Sequence, residues 1–509
     1  MRSVCRSVVV GVVLMSAWDT AAGDLRMVEA VKDRNVEAVR ALLRQHVDVN
    51  APGPDGSTAL HWAAHWDDGE TVGLLVQAGA NVNAVSELGV APLYLACSNG
   101  SASMVERLLR AGAKPNTLLP TGESPLMMCA RTGSVTAVKA LVAHRADPNA
   151  SEKSLDQTAL MWAVAAGHPD VVRALVELGA DVNARTRTRR EFAFVGYRFF
   201  IAVKTVTEKE RQSMQYVDFG GYTPLHFAAQ LGELEAARTL LAAGARVDEA
   251  AAEGTTALVV AAHSGQAAVA QLLIGQGADV NDTRAGYSAL HAAVLRGDIG
   301  LVKSLLARGA NPNVRLTKGT PVRKYSKDYA LGLNMLGATP FWLATRFAEP
   351  EIMRALVAGG ADQAVAAGEA TPAIHAVISY RPGNGDRRDR YISPREAAAM
   401  DPEQDERDTL ETVRAALDLG TDINTLSPSG DTPLHAAVAR GYVSVVQLLA
   451  ERGAALDIKN NAGKTAYELA AKPTRVADGL LGPQVEAAAA MAARLRQIAD
   501  VLRKSGARE

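Results

Sequence analysis

The sequence predicts an all-α fold in which about twelve helix pairs stack into a solenoid. The main observation is a motif, Thr-Pro-Leu-His in its fullest form, whose units begin at residues 25, 58, 91, 124, 158, 223, 256, 288, 339, 371, 432 and 465. Eight of the eleven spacings lie within one residue of 33. A period of roughly 20 to 50 residues is typical of repeat architectures. The three longer spacings predict three insertions.

The first helix of each unit has its own start and stop signals. Thr58 and Thr223 can cap this helix with their hydroxyl groups. Pro224 has a φ angle that suits the first helical turn. Alanine pairs such as Ala228 and Ala229 let neighbouring first helices approach closely, and a glycine nine residues into most units ends the helix.

The second helix carries apolar residues at helical spacing, for example Val171, Val172, Leu175 and Val176, and ends at Gly179. One helix pair cannot bury this apolar face alone. Stacking buries it, so stability becomes a sum of unit and interface terms.

The last segment, 483–506, predicts a helix that caps the stack. Pro483 opens this helix and Gly506 closes it. Its apolar stripe consists of Val485, Ala488, Met491, Leu495, Ile498 and Leu502. A free helix that binds a partner is the alternative.

The segments "TPLHFAA", "TPLHAAV", "GANVNA" and "GADVNA" resemble the ankyrin repeat, and the resemblance covers nearly all of 24–509. It implies an ankyrin-repeat solenoid of about 12 helix-pair units with β-hairpin fingers and three insertions. It also implies protein binding through the finger tips and the concave face of the first helices, and a structural role for the motif histidine.

The first 23 residues predict a secretory signal peptide. "MRSVCR" carries two arginines, an apolar run follows from Val8 to Ala17, and small residues precede Asp24. The run is about half of the roughly 20 residues that span a bilayer. An uncleaved apolar helix is the alternative. We therefore expect a periplasmic or secreted protein without a membrane span after cleavage.

The predicted organisation follows the repeats and their insertions. It consists of a signal peptide (1–23), repeats 1–5 (24–184), an aromatic insertion (185–219), repeats 6–8 (220–313), an extended finger (314–338), repeat 9 and the first helix of repeat 10 (339–380), a polar loop (381–408), the second helix of repeat 10 with repeat 11 and the start of repeat 12 (409–482), and the capping helix (483–506). The later insertions and the segment "GATPFWLATRFAEPEIMRAL" are similar to exported bacterial ankyrin proteins.

The aromatic insertion predicts a β-hairpin, because "EFAFVGYRFF" alternates and then becomes continuously apolar. Its aromatic residues could cover the solenoid, or some could anchor a partner, since aromatics and arginine are enriched at interface hot spots. The second insertion carries five Lys or Arg before Asp328 and reads as a solvated finger or a polar rim.

The sequence contains few motifs that indicate catalysis or metal binding. The chain has no phosphate-binding loop, no nucleophile elbow and no Cys-x-x-Cys. We expect Cys97 and Cys129 to be small buried residues without a bridge, because helices pack about 8–10 Å apart and a bridge needs Cα atoms within about 7 Å. His61 and His65 could form a metal pair but lack a third ligand. Asparagines at the finger bases are explained by turn hydrogen bonds.

The sequence therefore predicts a monomeric, non-catalytic scaffold that binds a protein, with no catalytic, cofactor or metal site. A net charge of −1 does not favour nucleic acid. The alternatives are a secreted effector that acts on a host protein and an enzyme whose site is built by the insertions. The predicted partner-binding residues are His65, Trp66, Arg131, Phe192, Tyr197, Phe199, Gln230, Arg296, Arg346, Phe347 and Arg440.

Overall fold

The computed structural model describes residues 24–195, 214–322, 331–332, 335–368, 370–379, 401–471 and 483–507. These ranges contain 24 helices and three strands. The chain divides into two compact units, Met1–Lys153 and Ser154–Glu509. The predicted signal peptide lies outside the described residues.

The first unit is a stack of helix pairs. Its helices are α1 (Arg26–Lys32), α2 (Val36–Arg44), α3 (Ala59–His65), α4 (Gly69–Gln77), α5 (Pro92–Ser98), α6 (Ala102–Arg110), α7 (Pro125–Thr132) and α8 (Val135–Ala143). The first helices α1, α3, α5 and α7 contact one another in order. Alanines on these helices, such as Ala63 and Ala96, are fully buried at those contacts.

The second unit repeats this arrangement. Its helices are α9 (Ala159–Ala165), α10 (Pro169–Glu177), α11 (Pro224–Leu231), α12 (Leu234–Ala242), α13 (Ala257–Ser264), α14 (Ala267–Gly275), α15 (Ala289–Arg296), α16 (Ile299–Ala307), α17 (Pro340–Arg346), α18 (Pro350–Ala358), α19 (Ala373–Ile378), α20 (Pro402–Asp418), α21 (Pro433–Arg440), α22 (Val443–Glu451), α23 (Ala466–Ala471) and α24 (Pro483–Lys504). Helix α24, which the sequence predicts to cap the stack, packs on α22 and α23 and fully buries Ile498 and Leu502.

One column of hydrogen bonds joins neighbouring repeats through the motif histidines. In His61, Nδ1 accepts from the Thr58 amide at 3.0 Å, and Nε2 donates to the Val90 carbonyl of the next repeat at 2.9 Å. Burial lowers the pKa of His61. Equivalent bonds from Nε2 are made by His226, His291, His375 and His435. The structural role that the resemblance implied is confirmed, and the bonded His61 has no free nitrogen for a metal.

A second column of hydrogen bonds uses the asparagines at the finger bases. The Asn83 side chain donates to the Gly112 carbonyl at 3.0 Å and accepts from the Lys114 amide at 2.7 Å. Both partners belong to the next repeat. The predicted turn bonding is present as well, since the Asn83 backbone amide donates to the Asn81 side chain at 3.0 Å. Turn bonding is only part of the explanation, because the Asn83 side chain also satisfies the end of the neighbouring second helix.

Both columns continue across the second insertion. His291 reaches the Ala338 carbonyl and Asn313 reaches the Gly360 carbonyl, each 47 residues ahead. In the array without insertions the same bonds span about 29 residues. The insertion therefore loops out while the helices on either side keep their stacking register.

The first and second insertions meet in a three-stranded antiparallel sheet. Strands β1 (Arg189–Val195) and β2 (Met214–Phe219) form the predicted hairpin, with Phe192 opposite Tyr216. Strand β3 (Pro321–Val322) pairs with the other side of β1. The second insertion is therefore more than a solvated finger, and Leu331 and Met335 within it are fully buried.

The last part of the third insertion is helical. Helix α20 begins at Pro402, inside the segment 381–408 that the sequence predicts to be a loop, and residues 381–400 lie outside the described part of the chain. The Asp401 side chain accepts from the Glu403 amide at 2.9 Å and caps this helix. The sequence does contain a helix start signal here, an aspartate cap followed by proline, but the polar composition of the segment favoured a loop.

Cys97 and Cys129 form a disulfide between α5 and α7, with Cα atoms 4.5 Å apart. The prediction of no bridge is wrong, because it compared a Cα separation with a distance between helix axes. Cα atoms lie about 2.3 Å from their own axis, so axes about 8–10 Å apart leave facing Cα atoms about 3–5 Å apart. Small neighbouring side chains permit that approach.

Candidate functional site

In the first unit, the candidate surface is an aromatic and cationic cluster where α3 ends. Trp66 follows α3 and is 37% exposed, with the Arg34 guanidinium 4.2 Å from its ring centre. The His65 ring lies 4.7 Å from the Trp66 ring, and Lys32 lies 4.5 Å from the ring of Trp62. The cations Lys32 and Arg34 therefore lie over aromatic rings, an arrangement that cation–π attraction stabilises.

Arg131 lies in the last turn of α7, at the repeat position that His65 occupies in α3. Its side chain is exposed, and its guanidinium lies 3.2 Å from the Met128 sulfur. The predicted partner-binding residues of the first unit therefore lie at the solvent-facing ends of first helices, as their position in the repeat predicts.

In the second unit, the predicted partner-binding residues of the first helices are only partly accessible to solvent. Gln230 is exposed, whereas Arg296 and Arg346 are half-buried. Arg296 donates from Nε to the His263 carbonyl, which ties it to the preceding repeat.

Phe347 is buried, with 3% of its surface exposed, so the prediction of an accessible aromatic there is wrong. Like Trp66, it directly follows its first helix. The same position in the repeat therefore does not determine whether a side chain is exposed to solvent. A large apolar ring gains free energy by burial wherever neighbours can cover it, and they do so at Phe347.

Arg440 also points inward, and its side chain is 19% exposed. Its guanidinium donates to the Tyr442 hydroxyl at 2.8 Å and pairs with Asp405 at 3.4 Å. Tyr442 donates to the same buried carboxylate. This cluster fastens α20 to the following repeat, so Arg440 has a structural function. The partner of Arg440, Asp405, lies in the segment 381–408 that the sequence predicts to be a loop. No sequence pattern indicates this pairing.

The sheet carries the most exposed aromatic pair of the described chain. Phe192 and Tyr216 are 54% and 65% exposed, and their ring centres are 5.1 Å apart. The Arg190 guanidinium lies 5.6 Å from the Tyr216 ring centre. These two rings do not cover the helices, so they are available to another molecule. Tyr197 and Phe199 lie outside the described residues.

The base of the sheet is held firmly by fingers on both sides. Arg187 pairs with Asp156 through two bonds of 2.7 and 3.0 Å, and Arg185 pairs with Glu249. The Thr186 amide donates to the Tyr222 carbonyl at 3.0 Å. The aromatic pair is therefore presented on an anchored platform, which limits the entropy lost when a partner binds.

A buried carboxylate lies beside this base. Glu253 accepts from the hydroxyls of Tyr222 and, at 3.1 Å, Thr255, while its Oε2 is buried without a hydrogen-bond partner. Burial raises the pKa of Glu253. A buried charge that lacks a counterion is costly, so this residue reduces stability once it ionises.

Replacing Glu253 by Gln is expected to raise the thermal midpoint at pH 7. The folded protein binds the proton more tightly than the unfolded chain, so the wild type loses stability as pH rises through the folded pKa. Melting curves at pH 4 and pH 7 test this. The two proteins should melt alike at pH 4, and a Gln variant that melts lower at pH 7 would contradict the assignment.

Sites for chemistry are sparse. No group of three or more His, Cys, Asp or Glu within the described ranges is placed to hold a metal ion. None of the described helices combines the length and apolar character that a membrane crossing requires. A cleft between α20 and α24 has a volume of about 290 Å³. Its Glu406 is already engaged by Ser444 at 2.7 Å and Arg494 at 3.2 Å.

Stacked helix pairs joined by two hydrogen-bond columns define a helical repeat protein with projecting fingers. The family description "Ankyrin repeats (3 copies)" matches residues 23–86, 93–186, 244–315 and 398–488, and "Ankyrin repeat" matches 220–251. Together these matches cover more than half of the chain. The chain therefore belongs to the ankyrin repeat family, whose fold is in general a non-catalytic module for protein–protein interaction.

Individual relatives share parts of the array. An E3 ubiquitin-protein ligase, KEG, of Arabidopsis thaliana is 27% identical over 52% of this chain and 19% of its own length. Human ankyrin repeat and SOCS box protein 16 is 28% identical over 42% of this chain and 47% of its own length. The crystal structure of the human ASB11 ankyrin repeat domain is 26% identical, with a TM-score of 0.39, and covers 49% of this chain and 96% of that domain. The chain spans less than half of both curated relatives.

Proposed function

We propose that this protein is an exported, monomeric scaffold without catalytic activity that binds a protein partner. The observation that supports this most strongly is the exposed pair Phe192 and Tyr216 on an anchored sheet. Tyrosine and arginine are enriched at interface hot spots, and phenylalanine is enriched in interface cores. In the second unit, the contact residues we propose are those of this sheet, with Tyr197 and Phe199, and the first-helix residues Gln230, Arg296 and Arg346. In the first unit they are His65, Trp66 and Arg131.

Export to the periplasm or beyond is part of the proposal. The pattern of the first 23 residues supports it, and so does the Cys97–Cys129 bridge. Disulfides persist in oxidising compartments and are rare in the reducing cytosol. A scaffold for a native partner and an effector that acts on a host protein use the same surface, and they differ in where the partner is found.

The structure suggests a clean deletion for testing this proposal. The backbones of Arg187 and Gly220 touch, since a Cβ added at Gly220 would overlap the Arg187 carbonyl. Removing 188–219 therefore joins two adjacent chain ends and leaves the anchoring pair Arg185 and Glu249 in place.

The full chain and this deletion variant would be used to capture partners from periplasmic extract, culture fluid and host-cell extract, and circular dichroism would confirm that both fold. We expect a protein captured by the full chain and at least tenfold less by the variant. Equal capture would move the site to the helices. Capture from host extract alone would favour the effector, and capture by neither bait from any source would contradict the scaffold.

A further inference from the structure

Strand β2 is an edge of the sheet. The strand order is β2-β1-β3, and β2 pairs with β1 along its whole length. Within the described residues, Met214–Phe219 makes no backbone hydrogen bond beyond this pairing. Among the described residues, alternate amides and carbonyls along its outer side therefore have no backbone partner.

This edge lacks the usual protection against pairing. Natural edge strands carry proline or lysine, or are very short. The sequence of β2, MQYVDF, has neither residue and contains one charge, Asp218. The opposite edge, β3, is two residues long and begins with Pro321. Of the two edges of this described sheet, β2 is the one suited to accept another strand.

The outer side of β2 is also accessible. The next finger reaches only as far as Gly220, where the Ala252 amide donates to its carbonyl at 2.9 Å. Beyond that bond the strand projects past the finger, and Tyr216 and Asp218 are exposed. An incoming chain would therefore meet the outer backbone edge and these two side chains together, with Asp218 also 3.9 Å from Arg190 of β1.

We propose that β2 accepts an extended segment of the partner protein as a fourth strand; this inference rests on the proposed function. Backbone pairing supplies affinity, and side chains on one face supply specificity. A residue beside Tyr216 would be aromatic or β-branched, and a residue two positions away, beside Asp218, would be basic. The recognised pattern is basic-x-apolar for an antiparallel segment and apolar-x-basic for a parallel one.

The test selects nine-residue peptides from a random phage-displayed library on the full chain. We expect the selected peptides to share one of these patterns, without a central proline. Each peptide would then be methylated at one backbone nitrogen at a time. Because alternate amides face a neighbouring strand, methylation at every second residue should abolish binding, while the positions between should tolerate it.

Matched protein variants locate the site. Tyr216→Ser should weaken the selected peptide about tenfold. Leu426→Ser, at an exposed finger position in the same unit, should leave the affinity unchanged. Circular dichroism would confirm that both variants fold.

Three results would overturn the inference. If peptide binding does not alternate with the methylated position, the peptides bind elsewhere, such as on the helices. Strand addition would then be wrong, while the proposed scaffold function would stand. Failure to select any peptide would exclude strand addition, while partner capture still tests the scaffold. Dimerisation of the chain that Tyr216→Ser abolishes would make a second copy the occupant of β2.

Discussion

Acidification from pH 6.5 to pH 4 is expected to destabilise the second unit strongly. Burial lowers the pKa of both His226 and His291 from 6.5 to about 4. Between these values the unfolded chain binds more protons than the folded chain, so stability is complete above pH 6.5 and falls as pH drops towards 4. Each histidine contributes about 3 kcal/mol to this loss, because one pKa unit corresponds to about 1.4 kcal/mol.

The physical cause is the hydrogen bonding of the neutral ring. In His226, Nδ1 accepts from Thr223 and Nε2 donates to the Thr255 carbonyl, so protonation of Nδ1 would remove an acceptor inside the stack. Melting curves followed by circular dichroism at pH 7, 5.5 and 4.5 measure the effect. His226→Leu should be less stable at pH 7 but depend less on pH, and exposed His46→Gln should behave like the wild type. Unchanged melting down to pH 4.5 would contradict this account.

Reduction of the Cys97–Cys129 disulfide is expected to destabilise the first unit by about 4 kcal/mol. The bond closes a loop between residues 32 positions apart, and a cross-link of this length reduces the entropy of the unfolded chain. Thermal melting with and without dithiothreitol measures this loss. Mass spectrometry after alkylation under denaturing conditions would confirm that the bond is present before reduction.

The control is the double variant Cys97→Ala and Cys129→Ala. Both positions are fully buried on first helices, where alanine is the common residue of the repeat. This variant should melt like the reduced wild type and should not respond to dithiothreitol. A wild type whose melting is insensitive to the reductant would show that the cross-link contributes nothing to stability.

The sequence predicted the features that depend on local signals. Hydroxyl caps, helix-ending glycines and apolar spacing recur in most repeats, so the helices could be read directly, and the structural role of the histidines followed from the ankyrin resemblance. The hairpin of the aromatic insertion was also predictable, because its alternation is a local pattern.

The features that the sequence did not predict depend on contacts between distant segments. Strand β3 is too short to show a pattern and exists only because it pairs with β1. The exposure of Phe347 and the pairing of Arg440 with Asp405 depend on neighbours from other repeats. The disulfide was missed for a geometrical reason, since facing Cα atoms are much closer than helix axes.

The most direct test of the binding surface is hydrogen–deuterium exchange of the full chain with and without its captured partner. We expect new protection in β1 and β2 and at the ends of the first helices near Trp66 and Gln230. Protection that is confined to the second helices, such as α4 and α12, would contradict the proposal that this protein binds through its sheet and first-helix surface.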